Sequence, residues 1–180
     1  MRKFNMFLVI GMMILFVVHG VLGSTQLFGA ESVPSKMITH SFMTLVFLHM
    51  IVTAILTFRT LYALKKSGAS YFRNNGLFWA RRLSGFAIII PMFMHFTVFS
   101  GVIENGAYRL VEFNTLRMIS QVLFVACLAV HIVSNIRPAL ISMGVKGTGK
   151  TSVNLLVILS AILLISTVGF LFYYLVWIAL

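Results

Sequence analysis

The chain has 180 residues, 60% of them hydrophobic and only 9% charged, with mean hydropathy +1.03 and formal net charge +11. That balance excludes a soluble domain of this size and indicates an integral membrane protein with little mass outside the lipid. A single cysteine, Cys127, excludes a disulfide framework.

A helix needs about 20 mostly apolar residues to cross a bilayer. Five segments qualify, at 4–23, 37–64, 78–103, 113–136 and 152–179, so residues 1–180 are expected to form one all-α membrane domain. The first starts after Arg2 and Lys3 and ends near small residues (Gly20, Gly23, Ser24), in the manner of a signal peptide. Its apolar run is long enough to span, and it carries a histidine; we expect it to be retained. The fourth segment is expected to stop at Arg137-Pro138, because proline disfavours helical geometry in the residue before it. In the fifth, Tyr173, Tyr174 and Trp177 read as an interfacial aromatic belt.

The positive charge is one-sided. Arg2 and Lys3 precede segment 1. Arg59, Lys65, Lys66, Arg73, Arg81 and Arg82 lie around the connection from segment 2 to segment 3, and Arg137, Lys146 and Lys150 around that from segment 4 to segment 5. No acidic residue accompanies them. On the opposite side Lys36, Arg109 and Arg117 balance Glu31, Glu104 and Glu112. This is the positive-inside pattern of a multi-pass protein of the cytoplasmic (inner) membrane, with the N-terminus in the cytoplasm and the C-terminus outside. It argues against nucleic acid as the reason for the charge. The basic face is suited to a cytoplasmic partner or to anionic membrane lipid.

Four of the apolar segments carry one central histidine each: His19, His49, His95 and His131. Ionisable residues inside membrane helices are costly and usually mark a functional site. Imidazole is the commonest protein ligand for metals, and two imidazoles facing each other can hold a haem iron. At 1.5 Å per residue, His95 lies about 20 Å beyond Arg82 and His19 about 24 Å beyond Lys3. His49 lies about 15 Å from Arg59 and His131 about 9 Å from Arg137. The histidines therefore fall into an outer layer, His19 and His95, and an inner layer, His49 and His131. Each layer draws on alternate helices, as diagonal ligation in a bundle requires. His40, about 28 Å from the same marker, lies at interfacial depth. It is placed for solvent or headgroups, for a haem propionate or a quinone, or to stand in for His19. Gly20, Gly23, Gly85, Gly101, Ala126 and Ala129 flank these positions and suit close packing of a macrocycle or of bare helices.

The run Phe78-Trp-Ala-Arg-Arg-Leu-Ser-Gly85, with His95 ten residues further on, resembles the Arg-x-Ser-Gly signature of succinate dehydrogenase cytochrome b subunits. The five-segment layout is similar to the single-chain, di-haem membrane anchors of succinate dehydrogenases and fumarate reductases. The resemblance implies two b haems, the outer on His19 and His95 and the inner on His49 and His131. It implies helices 1–4 as the haem-binding bundle and a peripheral fifth helix. It also implies flavoprotein and iron–sulfur subunits on the cytoplasmic face, the dicarboxylate site on another chain, and a membrane quinone, menaquinone, as the redox substrate. Arg82 and Ser84 resemble quinone-site residues of mono-haem relatives at the cytoplasmic end, but Arg82 is expected instead to pair with a haem propionate or simply to follow the positive-inside rule. Arg137, at the cytoplasmic end of segment 4, suits a propionate of the inner haem. In di-haem relatives the quinone reacts towards the outer side, where Glu104, at the outer end of helix 3 with His40, Asn105 and Arg109 nearby, is the expected proton acceptor. Two alternatives stand beside this reading: the cytochrome b subunit of another quinone-linked complex of hydrogenase or formate dehydrogenase type, and a haem-free membrane scaffold or transporter.

Gly144-Val-Lys-Gly-Thr-Gly-Lys-Thr151 fits the phosphate-loop pattern letter for letter. That motif cradles a nucleotide only between a β-strand and a helix. Here it joins two membrane segments, so no nucleotide is expected.

Overall fold

The computed structural model describes residues 1–28, 36–68, 76–99, 102–104, 107–109 and 113–179 (for 2, 36, 102–104, 107–109 and 177–179, the backbone alone). Five helices dominate: α1 (Arg2–Leu27), α2 (Lys36–Ser67), α3 (Gly76–Val98), α4 (Thr115–Ser142) and α5 (Thr148–Ala179). All five are long and apolar enough to cross a membrane. Between α3 and α4 a short antiparallel hairpin forms from β1 (Val102–Glu104) and β2 (Ala107–Arg109), with Glu104 opposite Ala107.

Apolar solvent cannot satisfy a stray backbone group, so the helix is the form these runs must take. Their hydroxyls bond back along the same helix. In α2, Thr44, Thr53, Thr57 and Thr60 donate to the carbonyls of His40, His49, Thr53 and Leu56 at 2.7–2.9 Å. Such back-bonding lets a helix carry threonine through lipid without an unpaired donor.

The helices pack as two pairs, α1 with α2 and α3 with α4, joined by α5, which lies along both α1 and α4. Direct approach between α1 and α4 is slight. The fifth helix is therefore not peripheral to a closed four-helix bundle. It packs against one helix of each pair and so joins them.

Close approach of α1 and α5 explains this placement. A Cβ on Gly20 would lie 2.9 Å from Ile162 Cγ2, and one on Gly169 would lie 3.2 Å from Leu27 Cδ1. Ser24 and Ser166 share a hydrogen bond of 3.1 Å across the same seam. Small residues and interhelical hydroxyl bonds are the means by which helices associate in lipid. Gly20 thus serves the α5 contact. A Cβ on Gly23 would meet nothing within 4 Å. Gly101 lies outside the described residues.

Gly11 offers a comparison, because its added Cβ would lie 2.9 Å from Leu45 Cδ1, the rotatable end of a side chain. Both glycines give up roughly 1 kcal/mol of helix propensity relative to alanine. We expect Gly11→Ala to leave the thermal midpoint in detergent unchanged or raised. Gly20→Ala, which presses on the branch of Ile162, should lower it. Equal midpoints for the two variants would contradict the α1–α5 seam.

At the outer end Leu27, Val98, Phe113 and Phe170 form a core against which Phe99, Tyr173 and Tyr174 pack. Tyr174 Oη pairs with Thr115 Oγ1 at 2.8 Å, so these tyrosines clamp α5 to α4 as well as marking an interface. The Trp177 side chain lies outside the described residues.

Two segment ends differ from expectation. Helix α3 stops at Val98, and residues 102–104 form β1 in place of a last helical turn. The residues between the strands are Asn105-Gly106, the dipeptide preferred in two-residue hairpin loops. Helix α4 runs through Pro138 to Ser142. Proline removes the N–H that would bond the Ser134 carbonyl, and Arg81 Nε donates to that carbonyl instead, at 3.0 Å. With the freed acceptor satisfied, a membrane helix tolerates proline. The stop is Gly144, at φ +74°. There the N–H groups of Val145 and Gly144 donate to the carbonyls of Leu140 and Ile141, both at 3.1 Å. This is a Schellman closure, with Val145 packed onto Ile136 and Leu140. The phosphate-loop look-alike is this turn plus the start of α5, entered from a helix.

Candidate functional site

The four central histidines lie on four different helices, two in each pair. Each layer takes one from α1 or α2 and one from α3 or α4. In the outer layer the His19 and His95 ring centroids lie 6.0 Å apart with planes at 73°. An imidazole bonds a metal at about 2 Å, so two imidazoles sharing one metal ion stand roughly 6 Å apart, centre to centre. Aromatic rings surround the pair: Phe42 lies 5.8 Å from His19, and Phe99 and Phe124 lie 4.7 and 5.0 Å from His95.

His95 is oriented by a residue that sequence reading passed over. Gln121, fully buried on α4, lies with its Oε1 2.8 Å from His95 Nδ1. The Gln121 Nε2 amide donates to Ser120 Oγ at 3.0 Å, and Ser120 Oγ–H donates to the Arg117 carbonyl at 2.7 Å. That relay leaves Oε1 facing the ring, and an amide oxygen can only accept. His95 therefore carries its proton on Nδ1 and presents a bare Nε2 lone pair.

The inner layer repeats the device with different partners. Asn5 Oδ1 on α1 lies 3.0 Å from His49 Nδ1, which again must be the donor. For His131, Ser84 Oγ lies 3.0 Å from Nδ1 and 3.1 Å from the Arg81 carbonyl. Asn135 Nδ2 approaches the same Nδ1 only at 3.4 Å. It bonds the His131 carbonyl at 2.8 Å and Ser134 Oγ at 3.3 Å. His131 Nδ1 thus has two polar neighbours, a hydroxyl that can donate or accept and an amide N–H that can only donate, and they do not fix its tautomer. His49 and His95 are held in the tautomer that a metal ligand needs, by amide oxygens on neighbouring helices.

The Arg82-Leu-Ser-Gly85 run converges on this inner layer. Arg82 is within electrostatic reach of both His49 and His131 and stacks over the Phe78 ring at 5.0 Å. A Cβ on Gly85 would come into van der Waals contact with His131 Cε1, at 3.4 Å, so this glycine packs directly beneath the imidazole. The motif holds and orients one histidine, a role that its spacing alone does not reveal.

Other expected site residues lie elsewhere. Arg137 is exposed and lines a groove on the flank of α3 and α4, about 120° around the helix from His131. Ala129 lines that same groove, and Ala126 is exposed. His40 is exposed at the first turn of α2. Glu104 ends β1, beyond α3; its side chain and that of Arg109, together with Asn105, lie outside the described residues. Asn5, Ser84, Gln121 and Asn135 share one signal in the sequence: each is a polar side chain within an apolar segment, as costly there as the histidines themselves.

Metal-ligating groups come in twos here; among the described residues no cluster of three or more His, Cys, Asp or Glu exists. Two donors do not complete a protein-built metal site, which takes at least three. They do suit a metal that brings the rest of its coordination with it, as haem iron does. The donor set and the bare Nε2 atoms of His49 and His95 fit such a group.

Comparison with protein-family models, with curated proteins and with solved structures finds no match to this chain.

Proposed function

We propose that this membrane protein carries two b-type haems and passes electrons between a membrane quinone and the flavoprotein and iron–sulfur subunits of a succinate dehydrogenase or fumarate reductase. One observation carries the haem reading. Four histidines on four helices fall into two layers, with the His19 and His95 rings 6.0 Å apart, and His49 and His95 have Nδ1–H bonded to an amide oxygen. His19 and His95 would hold the outer haem, and His49 and His131 the inner one. Haem iron supplies one-electron exchange when bound.

The chain's own contribution is orientation, insulation and charge. Asn5 and Gln121 hold their imidazoles with Nε2 bare and raise their basicity as ligands, and Ser84 orients the His131 ring through Nδ1. Phe42, Phe99 and Phe124 keep water from the outer layer, and burial of this kind is a principal lever on haem potential. Arg82 places a positive charge beside the inner layer, where it favours an extra electron and would pair with an acidic haem substituent. The assignment to the dicarboxylate-linked complex rests on the Arg-x-Ser-Gly run and the order of histidines along the chain. The N-in orientation and the cytoplasmic docking of partners rest on the one-sided basic charge.

A reduced-minus-oxidised optical spectrum of the purified protein tests the haem reading directly. We expect α-bands of b type, with two haems per chain. A purified, folded protein without them would be the haem-free scaffold or transporter. Co-purification with a flavoprotein and an iron–sulfur protein should identify the complex. A hydrogenase or formate dehydrogenase partner would reassign it.

A further inference from the structure

The lipid-facing flank of α3 and α4 carries a groove of about 720 Å³ at the basic end of the protein. Its walls are Leu77 on α3 and Val130, Val133 and Ile141 on α4, each 58–64% exposed, and two arginines, Arg81 and Arg137, flank it. We propose that this groove binds one anionic phospholipid of the leaflet on the basic side. Its phosphate is held by Arg81 and Arg137, and an acyl chain lies along Val133, Val130 and Ala129, with Leu77 and Ile141 flanking the headgroup end. This inference is independent of the haem reading.

Shape and charge both point to that occupant. From Arg137 to Ala129 the groove follows α4 for about 12 Å, with apolar walls open sideways to lipid. A ligand here must therefore be apolar along its length and anionic at one end. Neither α3 nor α4 contains an acidic residue to pair with the two guanidiniums, so the complementary charge has to come from outside these helices. Arg81 is not a loose surface cation. Its Nε is tied to the carbonyl that Pro138 frees, which fixes the guanidinium at the junction of the two helices and leaves its terminal N–H groups as donors. Planar guanidinium groups suit phosphate oxygens, and basic pockets between membrane helices recognise anionic headgroups. The continuation of α4 past Pro138 supplies Ile141, the wall nearest the headgroup. The unusual proline thus builds the groove and anchors one of its two cations.

Native mass spectrometry of the full chain in detergent, titrated with phosphatidylglycerol or with phosphatidylcholine of the same acyl chains, tests this. We expect one phosphatidylglycerol to bind about tenfold more tightly than phosphatidylcholine. Arg137→Gln should reduce that preference to about twofold, and Val133→Trp, which fills the groove while keeping both cations, should abolish tight binding of either lipid. Lys65→Gln with Lys66→Gln should leave the preference intact. Arg81→Gln also removes the bond to Ser134, so Arg137 and Val133 are the deciding positions. Equal binding of the two lipids, a preference that survives both deciding variants, loss of preference in the lysine variant, or displacement of the lipid by an equimolar quinone would each overturn the proposal.

Discussion

If the proposed haems are bound, His131→Ala should halve the haem content of the purified protein, from two per chain to one, measured as pyridine haemochrome against protein. It would remove one of the two histidines proposed to hold the inner haem and leave the His19–His95 pair untouched. Because Ser84 and Gly85 also converge on that imidazole, the variant leaves a cavity lined by a serine hydroxyl, and no neighbouring side chain can ligate in its place. His49→Ala should give the same stoichiometry and the same surviving spectrum, since both histidines are proposed to serve one haem. His95→Ala should remove the other haem and leave the complementary spectrum. Loss of both haems from folded His131→Ala protein would break the pairing, and retention of both would remove His131 from the ligand set.

Gln121→Leu should weaken the outer haem alone. Leucine keeps the volume but cannot accept from His95 Nδ1–H, and the relay from Ser120 ends at an apolar group. Leaving that donor buried without a partner costs about 1–3 kcal/mol. Losing the outer partner of a metal-bound histidine typically costs 10–100-fold in metal affinity. We expect the outer haem to be lost during purification or dialysis while the inner one stays, and its midpoint potential to shift where it remains bound. Ser84→Ala should show the converse, a weakened inner haem with the outer unaffected. The two variants together separate orientation from general destabilisation. A mere folding defect would lower both haem occupancies in parallel.

Some of this was readable directly from the chain. The apolar runs locate all five spans because a bilayer leaves the backbone no alternative to the helix over such lengths. The histidines declare themselves because they are expensive there. Even the two misjudged ends had local signals. Asn105-Gly106 marks a hairpin, and Gly144, not Pro138, has the conformational freedom to end a helix. The rule that proline stops a helix failed at Pro138 because Arg81, 53 positions earlier than Ser134, supplies the missing donor.

The polar partners were visible as residues but not as partners. Asn5 meets His49 across 44 positions, Ser84 meets His131 across 47, and His95 meets Gln121 across 26. Each meeting depends on how two helices are rotated about their axes, and an all-apolar helix surface says little about rotation. Arg137 shows the same limit in reverse. Its depth matches the inner layer, yet its position around α4 sends it to the groove on the flank.

What the sequence by itself determined is the number of spans, the one-sided charge and the count and depth of the histidines. These follow from the energetics of single residues in water or lipid. Only the tertiary structure decided that α5 joins two helix pairs rather than standing outside a bundle. It also decided which side-chain oxygens meet Nδ1 of His49, His95 and His131. The physical reason is that helix association in lipid turns on close contact between small residues and on single interhelical hydrogen bonds, such as Gly20 against Ile162 and Ser24 with Ser166. Those contacts join distant parts of the chain and leave no periodic trace within any one segment.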